Sequence, residues 1–203
     1  YLNDIRHLLA ITGTGHAVVI GTSLGGLLAM GMGAAMPTAL AGVVLNDIGP
    51  QVSSGGLGKI MDYISTDRSH DAWDSAVDDL KRMFPHLTFE TEEGWRDAAQ
   101  ATWRKGADGK LHFDWDTRLA AVLRDGPPIP DLWPLFHALD KVPVLAIRGA
   151  LSDVLSAETF GKMAKVRPTL QQVTVPDAGH VPTLSEPIVQ DKIDAFLAAL
   201  PKH

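Results

Sequence analysis

Short unbroken apolar runs punctuate both ends of this chain. Ala17-Val18-Val19-Ile20, Val43-Val44-Leu45 and Pro143-Val144-Leu145-Ala146-Ile147 lack polar alternation and are rich in β-branched residues, and residues 170–175 form a further short extended candidate. Such runs read as strands buried on both faces of a parallel sheet. Helical patterns separate them. Asn3 or Asp4 is placed to cap a helix running through Leu8, Leu9 and Ile11, with Gly13 and Gly15 ending it. Leu27-Leu28-Ala29-Met30 opens a second helix, whose glycines at 25, 26, 31 and 33 are costly in a helix and so predict close packing on the sheet. A last helix is expected over residues 187–200.

The middle of the chain differs. Residues 51–139 hold all five tryptophans and most of the charged side chains. Amphipathic spacing predicts short helices over 57–64, 71–84, 92–105, 116–123 and 131–139. Gly106-Ala107-Asp108-Gly109 reads as a turn, and Leu111-His112-Phe113 as a brief extended piece.

Candidate chemistry begins where the first strand meets the second helix. Gly21-Thr22-Ser23-Leu24-Gly25 joins them directly. A serine at the apex of such a strand–turn–helix junction is held in strained backbone with its hydroxyl clear of the sheet. The amide of Leu24, at the helix start, would face a developing oxyanion. Against this stands the reading that the string is an accident of a Gly-rich chain, and context decides between them. A serine nucleophile needs a histidine to take its proton and a carboxylate to orient that histidine. Asp153 falls in the loop Arg148-Gly149-Ala150-Leu151-Ser152-Asp153, and His180 in the loop Pro176-Asp177-Ala178-Gly179-His180, each just past a predicted strand.

These features, the GTSLGG turn, the RGALSD loop, the DAGHVPTLSEP loop and the final helix, resemble the alpha/beta-hydrolase family, in its Ser, Asp, His order. The resemblance implies an α/β fold: the C-terminal part of an alpha/beta-hydrolase, a mostly parallel sheet flanked by helices, with a helical cap inserted between the family's strands 6 and 7. Domains then divide as core over 1–50, cap over 51–139 and core over 140–203. It also implies that roughly the first four of eight strands, about 60–90 residues with the second oxyanion donor, belong to a missing N-terminal segment of the same protein.

Ser23, Asp153 and His180 are the implied catalytic residues, with Leu24 in the oxyanion hole. Asp47 is the alternative acid, because some family members place it after the strand following the turn. Asp153 is preferred on the resemblance of its loop and the spacing to the histidine loop; the competing role for Asp47 is a turn cap beside Pro50. Asp177 is too close to His180 in one turn to be the preferred partner, and is expected to shape the loop. The other histidines, including His16, His70, His86 and the terminal His203, lack this setting. Trp133, Phe136, Trp115 and Val181 are the candidate substrate-lining residues, although each aromatic has a competing role in the core.

The implied activity is a serine hydrolase acting on a carboxylic ester or lactone of a small, partly apolar substrate through an acyl-enzyme. A carbon–carbon hydrolase of ring-cleavage products, acting on a diketone, uses the same residues. A non-catalytic small-molecule receptor is the reading from another class. Serine rather than aspartate at the turn argues against the dehalogenase and epoxide-hydrolase branches.

Composition narrows this further. The 203 residues carry a net charge of −6 without long runs of one sign, so nothing suggests a nucleic-acid partner. The longest apolar stretch, residues 24–36, is broken by glycines and closed by Pro37, and no membrane association is expected. With no cysteine there is no disulfide or thiolate site, which suits a cytoplasmic location. Histidine spacing suggests no metal site, and no cofactor fingerprint is present.

Overall fold

The computed structural model describes residues 1–126 and 130–201. His203 and the cap residues 127–129 therefore lie outside the described residues. In chain order, α1 (Leu2–Ile11) leads to β1 (Ala17–Thr22), α2 (Leu24–Ala35) and β2 (Leu40–Asn46). An insert follows: α3 (Ser54–Ser65), α4 (Trp73–Met83), α5 (Glu92–Thr102), β3 (Trp103–Lys105), β4 (Leu111–Phe113), α6 (Leu119–Asp125) and α7 (Trp133–His137). The chain then returns through β5 (Val144–Gly149), α8 (Ala157–Val166), β6 (Gln171–Val175) and α9 (Pro187–Ala198).

The main sheet has the order β1-β2-β5-β6 with every pair parallel. The runs of β2 and β5 are unbroken because both faces are covered, whereas β1 leaves Ile20 47% exposed and β6 exposes Gln171 and Thr174. Val43, Leu45, Val144 and Ala146 pack on one face against Met30 and Met32 of α2 and Phe160 and Met163 of α8. Val44, Leu145, Ile147 and Val173 pack on the other against Val189 and Phe196 of α9. Of the α2 glycines expected to seat the helix on the sheet, only Gly26 faces a strand, its Cβ position 3.4 Å from Leu45 Cδ2, whereas a Cβ on Gly31 would meet Leu2 of α1 and one on Gly33 would stand 2.6 Å from Leu139 Cδ2, beyond α7. Register aligns the strand ends: Thr22 pairs with Asn46, Asn46 with Ile147, and Gly149 with Val175. The loops that follow β1, β2, β5 and β6 thus gather on one edge of the sheet, the usual place for ligands in open parallel sheets.

Two local expectations need correction. Asn3 and Asp4 sit inside α1, whose N-cap is Tyr1, and the Asn3 side chain instead accepts from Arg6. The helix expected over 92–105 ends at Thr102, because Trp103–Lys105 form a strand antiparallel to Leu111–Phe113. The intervening turn supplies the reason, with Gly109 at φ 85° folding the chain back on itself. This hairpin completes a separate core for the insert, built from Ala76, Val77, Leu80, Ala99, Trp103 and Phe113. Among the described residues no helix is long and apolar enough to cross a membrane.

On the insert's surface, His112 joins two loops: Nδ1 lies 2.6 Å from Asp67 Oδ2 and Nε2 3.0 Å from Asp108 Oδ2. Both contacts are satisfied only when both ring nitrogens carry protons. Hydrogen bonding to Asp67, then to Asp108, accordingly raises the His112 pKa above its ordinary 6.5. Because the folded value is raised, the stabilisation is complete below pH 6.5 and is lost as pH rises through the folded value. A histidine NMR titration is expected to place the His112 midpoint above 6.5, and thermal melts should show His112→Gln destabilising the protein more at pH 6 than at pH 9. An equal effect at both pH values would contradict this assignment.

Candidate active site

Ser23 occupies the junction of β1 and α2 at φ 48°, ψ −114°, a backbone conformation that L-residues rarely adopt. The fold holds it there by position rather than by a side-chain bond. Its N–H donates to the Asn46 carbonyl at 3.2 Å, and its own carbonyl accepts from Gly26 and Leu27. The sharp turn needs Gly21, where a Cβ would lie 2.5 Å from the Gly25 backbone carbon, and Gly26, where it would lie 2.2 Å from Ile48 Cγ2. A Cβ on Gly25 would meet nothing, so the steric constraint falls on positions 21 and 26. Leu24 is the first residue of α2, and its N–H is among the helix-start donors that have no intrahelical acceptor. Those donors and the positive end of the helix dipole face an anion placed at this terminus.

The second half of the site is organised by Asp47, which follows β2 and is fully buried. It too has a left-handed backbone, φ 51°. Its Oδ1 accepts from the Gly149 N–H at 2.8 Å. Its Oδ2 receives the Ser152 hydroxyl at 2.5 Å and His180 Nδ1 at 2.7 Å. With Nδ1 carrying the proton, Nε2 of a neutral His180 is left as the acceptor. Among the described residues neither Nε2 nor Ser23 Oγ makes a hydrogen bond, and the two are not bonded to each other. In unliganded sites this contact is often long and tightens with substrate.

The histidine loop reaches this position by running back along the sheet edge from β6. It passes over the end of β5 so closely that a Cβ on Gly149 would lie 2.2 Å from the Gly179 carbonyl oxygen. Asn46, fully buried, then fastens it: Nδ2 donates to the Pro182 carbonyl at 2.9 Å and to Thr22 Oγ1 at 3.1 Å. One amide thus ties the residue preceding Ser23 to the loop that carries His180. The insert holds the same loop from outside, through Gly179 N–H to the His86 carbonyl at 3.0 Å and a hydrogen bond from Thr88 to Glu186.

A strained serine at a helix start beside a buried Asp–His pair is matched by a family pattern that covers most of the sequence. The alpha/beta hydrolase family model matches residues 1–190. The chain belongs to this family. It is 30% identical over 198 residues to a 3-hydroxybutyrate-oligomer hydrolase of Cupriavidus necator, covering 92% of this chain and 67% of that protein. It is 28% identical over 203 residues to a 2-(acetamidomethylene)succinate hydrolase of Mesorhizobium japonicum, covering 98% of this chain and 70% of that protein. A crystal structure of an alpha/beta hydrolase from Novosphingobium aromaticivorans superposes with a TM-score of 0.88 at 40% identity, covering 98% of this chain and 70% of the other. The protein is a hydrolase.

Within the hydrolase, the two candidate acids are placed differently: Asp47 bonds His180, and Asp153 faces the insert. Asp153 does not reach His180. Its carboxylate pairs with Lys59 of α3 at 2.5 Å, and its carbonyl accepts from the Ser53 hydroxyl. The reason is directional: after β5 the loop turns its Ser152 side chain and Gly149 amide toward Asp47, and Asp153 outward to the insert. Asp177, at φ 58° and exposed, is a turn residue of the histidine loop. Of the residues expected to line a substrate site, Phe136 is a core residue at 1% exposure, packed beneath α2. Trp115 belongs to the insert's core, stacked on Phe113 with ring centroids 4.1 Å apart. Trp133 is half-buried beneath Lys162, whose ammonium lies 4.5 Å from the ring centroid, in a surface cleft shared with Gln51, Val52 and Leu132. Val181, next to His180, is partly buried. Among the described residues no group of three or more His, Asp or Glu side chains is gathered closely enough to hold a metal ion.

Asn46 and Ser152 were not singled out by sequence. A signal for the first existed, since Asn46-Asp47 are two polar residues closing a strand otherwise wholly apolar, and polar groups buried there must be paired. The glycine geometry yields a direct test. Gly21→Ala is expected to lower stability by about 1–3 kcal/mol or more through overpacking against the Gly25 backbone, whereas Gly25→Ala should be close to neutral, as read by thermal or urea unfolding. Equal costs at the two positions would contradict the packing described here.

Proposed function

We propose that this hydrolase cleaves a carboxylic ester or lactone of a small, partly apolar substrate through a Ser23 acyl-enzyme, with His180 as base and Asp47 as the orienting acid. The observation that carries this reading is the 2.7 Å bond between His180 Nδ1 and the buried Asp47 carboxylate, beside a serine in strained backbone. The Asp47 bond fixes the tautomer in which Nε2 takes the Ser23 proton. Ser23 Oγ then attacks the substrate carbonyl, and the Leu24 amide at the start of α2 stabilises the tetrahedral oxyanion. His180, now an imidazolium held by Asp47, donates its proton to the departing alkoxide, leaving the acyl-enzyme. Water deprotonated by His180 attacks the acyl carbon, and Ser23 leaves with the proton returned from the histidine. Atoms balance as ester plus water giving acid plus alcohol.

The relative named as a 3-hydroxybutyrate-oligomer hydrolase supports an ester as the bond cleaved. A receptor without turnover has less support, because a receptor gains nothing from a buried Asp–His pair or from backbone strain at Ser23. The contacts of residues 86 and 88 with the histidine loop support the insert as a cover over the site.

Turnover of a chromogenic short-chain ester and of a simple lactone tests the reading. Ser23→Ala is expected to reduce kcat on the order of 10⁴-fold or more, and Asp47→Asn by about 10³–10⁴-fold, with both variants folded by circular dichroism. Asp153→Asn should stay within about twofold of the parent, as expected for loss of an exposed ion pair. Full activity in Asp47→Asn with loss in Asp153→Asn would overturn the assignment of the acid.

A further inference from the structure

We infer that Ser152 is a positioning residue for the Asp47–His180 pair, its hydroxyl acting as a fixed donor that keeps the buried carboxylate aimed at the imidazole. This rests on the reading that Asp47 is the triad acid. The argument begins with the bonds of one oxygen. Ser152 Oγ accepts from the Val154 N–H at 3.2 Å and from the Leu155 N–H at 3.1 Å. A hydroxyl has two acceptor lone pairs and one proton. With two backbone amides directed at the oxygen, the proton is left to the remaining partner, Asp47 Oδ2 at 2.5 Å. The hydroxyl therefore cannot rotate to become an acceptor from His180 or from water without abandoning two amides.

Asp47 needs such a donor. It is fully buried, and an ionised carboxylate in that setting is tolerated only when its oxygens are well hydrogen-bonded. Gly149 N–H serves Oδ1, while Ser152 and His180 share Oδ2. Of these three donors, Ser152 is the one that is neither backbone nor the imidazole itself. The Ser152 bond pins the Oδ2 position on which the imidazole orientation depends.

The loop that carries Ser152 is itself braced. Arg148, buried, donates from Nε to the Leu155 carbonyl at 2.8 Å and from Nη2 to the Ala150 carbonyl at 3.3 Å. From the insert, Ser53 and Lys59 both bind Asp153, and Ser53 N–H donates to the Val154 carbonyl at 3.1 Å. A loop with no task beyond linking β5 to α8 would not need bonds from its own strand and from the insert. Resemblance of the loop and its spacing to the histidine loop pointed to Asp153 as the acid; in this reading the loop's chemistry is to hold an acid carried by another strand.

The experiment compares the parent with Ser152→Ala and Ser152→Thr in ester hydrolysis across pH, alongside Asp47→Asn as the reference for the acid itself. In Ser152→Ala the expectation is a drop of roughly tenfold or more in kcat, on the scale of losing a hydrogen bond to a charged group, with KM nearly unchanged. The acidic limb of the kcat/KM profile should shift with it, because the imidazole is then bonded to a carboxylate no longer held in place. Ser152→Thr, which keeps the hydroxyl, should restore both. Should Ser152→Ala fail to fold, Ser152→Cys, with a weak donor of similar size, takes its place with the same expectation. If kcat and the acidic limb stay within twofold and a few tenths of a pH unit of the parent while Asp47→Asn is inactive, Ser152 is only a structural residue and the inference falls. If Asp47→Asn is itself fully active, the reading of the acid falls instead, and the inference with it.

Discussion

A carboxylate with no access to water, and a histidine bonded to it, is the constraint around which this protein is arranged. Asp47 stands at the end of a strand both of whose neighbours are strands, so its charge is supported only by what the adjoining loops supply. The β5 loop supplies an amide and a hydroxyl, and the β6 loop supplies the imidazole. Removing any one partner would leave a buried charge short of a bond, which costs far more than the bond gains when made. The loops consequently have little freedom to take other shapes. The same arrangement that satisfies Asp47 sets the tautomer and direction of His180.

The sheet makes this possible through alignment. Parallel register puts the ends of β1, β2, β5 and β6 level, so a loop leaving the last strand can travel back over β5 to β2 and be fastened by Asn46 beside Thr22. Glycines mark where backbones touch. At Gly21 the strand and helix leave no space for a side chain, and at Gly149 the histidine loop lies directly above the strand end. The strain stored at Ser23 and Asp47 is carried by these close approaches and by the packed faces beneath them.

Much of this was legible in the residues. Unbroken apolar runs located three strands of the main sheet, the mixed stretch 170–175 gave the fourth, and the turn around Ser23 and the loop around His180 were both placed at strand ends. Which carboxylate meets the histidine was not legible, for a physical reason: it depends on the backbone turn after each strand, and a φ of 51° at Asp47 is not written in its side chain. Followed by Ile48-Gly49-Pro50, it looks like a turn cap. Asp153 sits in a loop that does approach the histidine, but offers Ser152 and the Gly149 amide inward and its own carboxylate to Lys59. Phe136 and Trp115 have the composition of a pocket lining, but large aromatic side chains contribute most by burial: Phe136 is buried in the main core, and Trp115, partly buried, packs against the insert's core.

Peptide mapping after treatment with a fluorophosphonate is the most direct measurement of the central claim, because phosphonylation reports an activated serine whatever the natural substrate is. A single adduct on the peptide containing Ser23, lost when His180 is replaced by alanine in a protein that remains folded, is the result predicted. No adduct, or one on Ser53 or Ser152 with Ser23 untouched, would contradict it.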